Sequence, residues 1–445
     1  MLYLNTKTDR PNTAEQTVSI LKYNLDKGGM FLDYDRMKER QNYGKMKQYK
    51  CGMELRKFLG ERGSRCIKPS DYAKAIIATG KTEGLLLTPS GSFSMSEDSI
   101  KQFLAYGRYD DNVNTMYKLY QVMSYYSKQC DSYDKIFERF PICKEESYDG
   151  HRMLRVLPNI AIQNTTRLGY TDPAVQNFPK EQKDIWTVPK GYVYLAADSS
   201  QIEPKFTYGW FINDEQINYL IKINKDAYYA IVQYCTMPVE WIKEKRMDIE
   251  PLVITDEMKG LRAKFKTYGN AVMYGSTSNK DGDPLKAEFI KRIGHHPARI
   301  RWQEEVTEKV AKGERYFYSL FGTPIDIYNS EAYYKAKTPN EKQTALIHCG
   351  INNPIQCTAA DLQKFSLNAT NELFVTRSPK SFIMATIHDE NKVAIWEDDY
   401  DKVKEVAGYT SYCVDDKIYV YNEPHEGRIY NDDVPTLGNK SVCIA

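Results

Sequence analysis

Apolar positions recur at helical spacing near the start of the chain. Leu21, Leu25, Met37, Met46, Met53, Leu55 and Leu59 are separated by turns, with Lys and Arg interleaved, which predicts helices across residues 14–61. A second helical stretch, Ser70 to Ala78, precedes the Gly/Pro/Ser-rich loop TPSGSFSMSED (88–98), where Ser96 reads as the N-cap of a helix running to Leu104. Helix is expected again over 112–140, 214–235 and 254–320. Between 151 and 210, and from 381 onward, short runs of β-branched and aromatic residues predict strands. No internal repeat is visible. The pattern predicts an α+β, mainly helical protein around a small antiparallel sheet whose strands come from two segments far apart in sequence.

With 445 residues and 42% apolar composition, the chain can bury two or three cores. The longest apolar runs, VYLAA (193–197) and FIMATI (382–387), fall far short of the ~18 residues of a membrane span, so no membrane partner is expected. MLYLNTKTDR lacks the features of a secretory signal. The nine cysteines form no CxxC or Cys/His cluster, which predicts free thiols in a reducing, cytoplasmic compartment. The net charge of +2 makes no case for nucleic acid, but the total is a cancellation. Residues 1–75 carry 16 Lys/Arg against 9 Asp/Glu, a net of +7, whereas residues 389–434 carry 5 against 13, a net of −8. Such asymmetry fits a polyanion-facing end, though solvated helix faces more often give the same count.

Two strands end in carboxylates. VYLAAD (193–198) stops at Asp198 and is followed by SSQIE. SFIMATI-HDEN-KVAIW (381–396) reads as a β-hairpin with His388, Asp389 and Glu390 at its tip. Adjacent carboxylates repel, and a cation relieves them; Asp198 and Asp389 on neighbouring strands would suit divalent ions and phosphoryl transfer. Taken alone, the tip reads as an ordinary solvated turn. In GLRAKFKTYGNAVMYGS (260–276), Arg262, Lys266, Asn270 and Tyr274 recur every fourth residue and share one helical face. Two cations one turn apart suit a bound polyanion, or a basic solvated surface.

The combination resembles the motifs of the family A DNA polymerases, the bacterial polymerase I type common also in bacteriophages. AADSSQIE (196–203) resembles the DYSQIE motif, and RAKFKTYGNAVMYG (262–275) the fingers motif R-x3-K-x3-F/Y-G-x2-YG. IHDE (387–390) resembles the third motif. NTTRLGYTDPAVQNFP (164–179) and NNPIQCTAADLQK (352–364) are similar to two supporting segments, and GGMFLDYDRM (28–37) and SGSFSMSED (90–98) to parts of the family's thumb. The resemblance covers nearly the whole chain and implies a right-hand fold: thumb in 1–150, palm in 151–206 and 345–445, fingers in 207–344.

The resemblance also implies roles. Asp198 and Asp389 would hold two Mg²⁺ ions, with Glu390 tuning the site. Arg262 and Lys266 would contact the incoming dNTP, and Lys266 would serve as general acid to pyrophosphate. Gln201 would assist in the same pocket, and Glu203 with Tyr274 would exclude a ribose 2′-hydroxyl. Arg167, Asn177, Asn352, Gln356 and His388 would contact primer-template DNA. The implied activity is template-directed addition of dNMP in DNA replication, by a monomer in the cytoplasm of a bacterial cell or phage-infected host.

Departures from the pattern bear on the nucleotide pocket. Asn270 stands where an aromatic ring is usual, leaving a looser pocket unless Tyr268, ~200° away around the helix, compensates. Tyr228 replaces the His of a DxH motif, Ser199 the Tyr after the first Asp, and Cys357 a Gly; His348 sits where an Arg is common. FGTPID (321–326) lacks the family's arginines. Thumb-like sequence begins by residue 28, so no 3′–5′ exonuclease domain is expected; a separate exonuclease or processivity factor would be a further partner. A single-subunit RNA polymerase and a catalytically silent, DNA-binding scaffold are the rival readings.

Overall fold

The computed structural model describes residues 1–61, 85–88, 91–94, 111–178, 180–273 and 282–416, with Ile77, Asn279 and the short stretches 418–420, 428–430 and 442–443. The expected helices at Ser70–Ala78 and after Ser96, most of the 88–98 loop, and Tyr274 lie outside these residues. The chain forms two units: residues 31–156 with 181–189, and residues 1–30, 157–180 and 190–445.

In the first of these, helix Tyr34–Leu59 packs along helix Asp111–Arg139. Asp33 caps the former by accepting the Arg36 N–H at 2.8 Å. Arg56 and Lys57 lie in its last turn, where cations suit the exposed carbonyls, and it stops at Gly60 with φ +60°. Gly44 lets the helices approach: a Cβ there would lie 3.0 Å from the Cys130 sulfur. Met37, Leu55, Met123, Tyr133 and Ile136 form the buried seam. The helices expected across 14–61 are separated by a strand that was not expected: Met30–Asp33 is fully buried and pairs into a three-stranded sheet with Arg152–Val156 and Ile142–Glu146. An all-buried MFLD run carries no helical period, so tertiary pairing decides its state.

The larger unit is built on a five-stranded sheet in the order Phe382–Ile387, Glu390–Trp396, Tyr192–Asp198, Arg428–Tyr430, Val442–Cys443. Its pairings are antiparallel, with Glu390 opposite Asp198, Val393 opposite Leu195 and Trp396 opposite Tyr192. Alternation divides the faces. Leu195, Ile383, Val393 and Ile395 pack against Leu367, Leu373 and Phe374 of helix Pro339–Arg377 and Leu21 of helix Ala14–Lys27. Asp198, Ala196 and Tyr194, with Glu390, Lys392 and Ala394, share the other face. The 39-residue Pro339–Arg377 helix starts with a Thr338/Glu341 capping box and Pro339 at its first turn. Residues 215–294 add a separate apolar cluster around Ile217, Leu220, Ile231, Phe265 and Phe289, joining helices Glu215–Asn224, Ala227–Thr236 and Asp256–Met273. The expected helix over 254–320 gives way to the hairpin Tyr316–Tyr318/Pro324–Asp326. Among the described residues, no helix is long and apolar enough to cross a membrane, and Cys51, Cys130, Cys143, Cys235, Cys349, Cys357 and Cys413 are free thiols.

Candidate active site

The turn between Ile387 and Glu390 has two residues, with His388 at φ +54°. Glu390, expected at the tip, is the first residue of the returning strand. There it lies directly opposite Asp198, an arrangement that is unfavourable for two like charges without a neutralising group. The Ser199 N–H donates to the Asp389 carbonyl at 3.0 Å, tying the turn to the end of the Asp198 strand. Three carboxylate residues, Asp198, Asp389 and Glu390, thus meet at one end of the sheet. Burial pushes the Asp389 carboxyl up to about 6; the Arg167 guanidinium opposes the rise and Glu203 adds to it. Carboxylates, one of them costly to ionise where it is buried, are the hard oxygen ligands that a divalent cation takes.

Arg167 forms an ion pair with Glu203, both partly exposed. Arg167, His388 and Asp389 line a cleft together with Gln163, Gln176 and Lys364. Lys364 is buried and donates to Asp361 and to Thr166, each at 2.9 Å, so it braces the cleft wall. Asn352 and Gln356 are half-buried, one turn apart on the Pro339–Arg377 helix, and Asn177 is exposed on the turn Val175–Asn177.

A second group gathers around Asp226, which the sequence reading passed over. Asp226 caps helix Ala227–Thr236 through the Tyr229 N–H at 2.8 Å. Its carboxylate also accepts Arg262 Nε at 2.8 Å and Gln201 Nε2 at 2.5 Å. Gln201, at φ +54°, turns its other amide atom to accept the Ala227 N–H at 2.9 Å. The Arg262 guanidinium lies over the rings of Tyr228 and Tyr229, 5.4 and 5.5 Å from their centroids. Burial pushes the Tyr228 hydroxyl up to about 12, so it stays neutral. Gln201, Tyr228 and Arg262 are therefore one constellation. An Asp just before an apolar helical run was the available signal for their shared partner. Lys266 is exposed one turn beyond Arg262, and Asn270 occupies the next turn of the same helix. Tyr268 does not compensate for Asn270: it is buried between Phe265 and Phe289, with its hydroxyl on Asp283.

Among the described residues, the one grouping of three acidic or imidazole side chains whose ligand atoms all lie within 4.8 Å of one another is Asp33, Asp149 and His151, in the smaller unit. Arg36 already sits within it, 3.2 Å from Asp33 and 2.5 Å from Asp149.

The mainly helical chain, with its antiparallel sheet backed by a long helix, is consistent with the right-hand polymerase fold. The described fold is similar to the structure titled "POL domain of Pol1 from M. smegmatis complex with DNA primer-template and dNTP", with a TM-score of 0.66 at 16% identity, over 89% of this chain and 66% of that one. Residues 145–411 match the DNA polymerase family A profile, and the chain belongs to that family. It is similar to DNA polymerase I of Caldicellulosiruptor bescii (24% identity over 257 residues, 55% of this chain and 28% of the relative). DNA polymerase I of Aquifex aeolicus is similar at 24% over 249 residues, 54% of this chain and 39% of the relative. The matched stretch thus spans well under half of either relative's length.

Proposed function

We propose that this protein is a DNA-directed DNA polymerase, adding dNMP to a primer 3′-hydroxyl with release of pyrophosphate during DNA replication. The observation that carries the reading is the meeting of Asp198, Asp389 and Glu390 at one sheet end, beside Arg167 and Glu203, inside the segment that matches the family. Asp198 and Asp389 would hold two Mg²⁺ ions, which when bound lower the pKa of the primer hydroxyl and stabilise the leaving pyrophosphate. Arg262 and Lys266, on one helix face, would bind the triphosphate, the first as a fork and the second as a point charge. Arg262 already pairs with Asp226 at 2.7 Å, so triphosphate binding must compete with that carboxylate. Gln201 supports the same Asp226 and would act on the pocket through it. Glu203 with Tyr274 would select against rNTP, and Glu203 also holds Arg167 at the cleft where primer and template would lie. Asn177, Asn352, Gln356 and His388 would contact the same DNA.

The division into thumb (1–150), palm (151–206 and 345–445) and fingers (207–344) is part of the proposal. The paired helices Tyr34–Leu59 and Asp111–Arg139, the five-stranded sheet and the helical cluster of 215–294 respectively support it. The test is primer extension by the purified chain with Mg²⁺ and either dNTP or rNTP, beside Asp389→Ala. Extension with dNTP that the substitution abolishes is the expected result. Preference for rNTP would indicate an RNA polymerase, and no extension by the wild type would indicate a DNA-binding scaffold.

A further inference from the structure

Lys392 is a buried cation on the catalytic face of the sheet. Its side chain is 3% exposed, and its Nζ lies 2.9 Å from Glu390 Oε2, itself on an 8% exposed side chain. Nζ also donates to the Tyr194 hydroxyl at 3.0 Å, and it lies 5.7 Å from the centre of that ring. The register explains the geometry. Lys392 follows Glu390 by two residues, so both project from one face. Opposite it stands Ala196, whose small side chain leaves room for the lysine stem to reach across. Its diagonal neighbours on that strand are Asp198 and Tyr194, and the ammonium bonds to the latter. A buried ammonium is costly unless paired and hydrogen-bonded, and Glu390 and Tyr194 supply both.

We infer that Lys392 is a positioning residue whose charge internally neutralises Glu390, so that Glu390 adds little to the charge the cation site presents. The inference rests on the metal-site reading above and deepens it. Asp198 and Glu390 face each other as like charges, and Lys392 offsets one of them from within the sheet. Glu390 then acts as an anchored acceptor and contributes little attraction to a divalent ion. Removing the ammonium would return a full negative charge to the site. Even at the dielectric of water, one added charge a few ångströms from a divalent ion makes its binding about tenfold tighter, and the lower dielectric of the protein strengthens the effect.

The experiment measures Mn²⁺ binding to the full chain, without DNA or nucleotide, by electron paramagnetic resonance of free Mn²⁺ at fixed pH. Wild type, Lys392→Met, Glu390→Gln, the double variant and Asp198→Ala are compared, with circular dichroism to confirm folding. The expected result is tighter binding by Lys392→Met, threefold or more, cancelled in the double variant, and less than a threefold change in Glu390→Gln. General damage to the sheet would weaken binding, opposite in direction to the effect expected of Lys392→Met. A folded Lys392→Met without that gain would overturn the inference. Should that variant not fold, Glu390→Gln still decides, since weakening by threefold or more would show that its charge is available to the ion. If wild-type binding is absent, or unaffected by Asp198→Ala, the metal-site reading itself fails and takes the inference with it.

Discussion

Two carboxylate groupings in this chain look alike in composition and differ in what completes them. Around Asp33, charge is answered by the protein itself. The carboxylate caps a helix, accepts from His151 Nδ1 at 2.7 Å and lies beside Arg36, which also binds Asp149 and donates to the Asp184 carbonyl at 2.9 Å. At the sheet end, Glu390 has Lys392, while Asp389 is left with a carboxyl that burial raises to about 6. Burial raises the Asp33 carboxyl as well, but a backbone N–H, an imidazole and a guanidinium all oppose it there, whereas at Asp389 the Arg167 guanidinium opposes it and Glu203 adds to it. The difference teaches that carboxylate count does not identify a cation site. What matters is whether the fold supplies the counter-charge.

The largest contrast should come from deleting one carboxylate in each group. Asp198→Ala is expected to lower single-turnover primer extension by on the order of 10³-fold or more while leaving the melting transition nearly unchanged. Asp33→Ala removes a cap and leaves Arg36 and His151 without their buried partner. It should cost about 3 kcal/mol in denaturant unfolding, with extension per folded molecule preserved. Extension lost in both, or stability lost in both, would erase the distinction between the two groups.

A smaller effect is expected in pH dependence. Between its unfolded midpoint near ~4 and its folded midpoint of about 6, Asp389 binds more protons in the folded chain. Metal-free stability should therefore fall as pH rises through that window, by on the order of 2–3 kcal/mol, and Asp389→Asn should remove most of this fall. Mg²⁺ should restore the lost stability in the wild type but add nothing to Asp389→Asn, as read by urea unfolding at pH 4.5 and pH 7. The smallest effect belongs to His151→Ala. Asp33 keeps Arg36 and its backbone donor, so the cost should be about 1 kcal/mol in unfolding, with the Mg²⁺ response intact.

Much of the candidate site was legible because it lies in contiguous motifs. Asp198 at the end of an apolar run and the HDE of a hairpin are local patterns, and the i, i+4 spacing of Arg262 and Lys266 follows from helix geometry alone. What escaped is non-local. Asp226 becomes the hub of Gln201 and Arg262 only because helices Ala227–Thr236 and Asp256–Met273 pack against each other. Tyr268 looked available as a replacement ring, yet its direction around the helix delivers it to Phe265 and Phe289. The strand Met30–Asp33 was hidden in a helical stretch because a fully buried strand shows no alternation.

By itself, the sequence determined the class of the protein: a mainly helical chain with two carboxylate-ended strands and a basic helix face, in motifs whose order marks the family. Periodicity, capping and motif spacing are properties of neighbouring residues, and they survive reading along one dimension. Only the tertiary structure decided which charges are answered. Lys392 reads as an ordinary polar residue in a strand until antiparallel register sets it across from Ala196 and beside Glu390 and Tyr194. The physical reason is that burial and pairing depend on which strands adjoin, and a carboxylate's readiness for a cation follows from both.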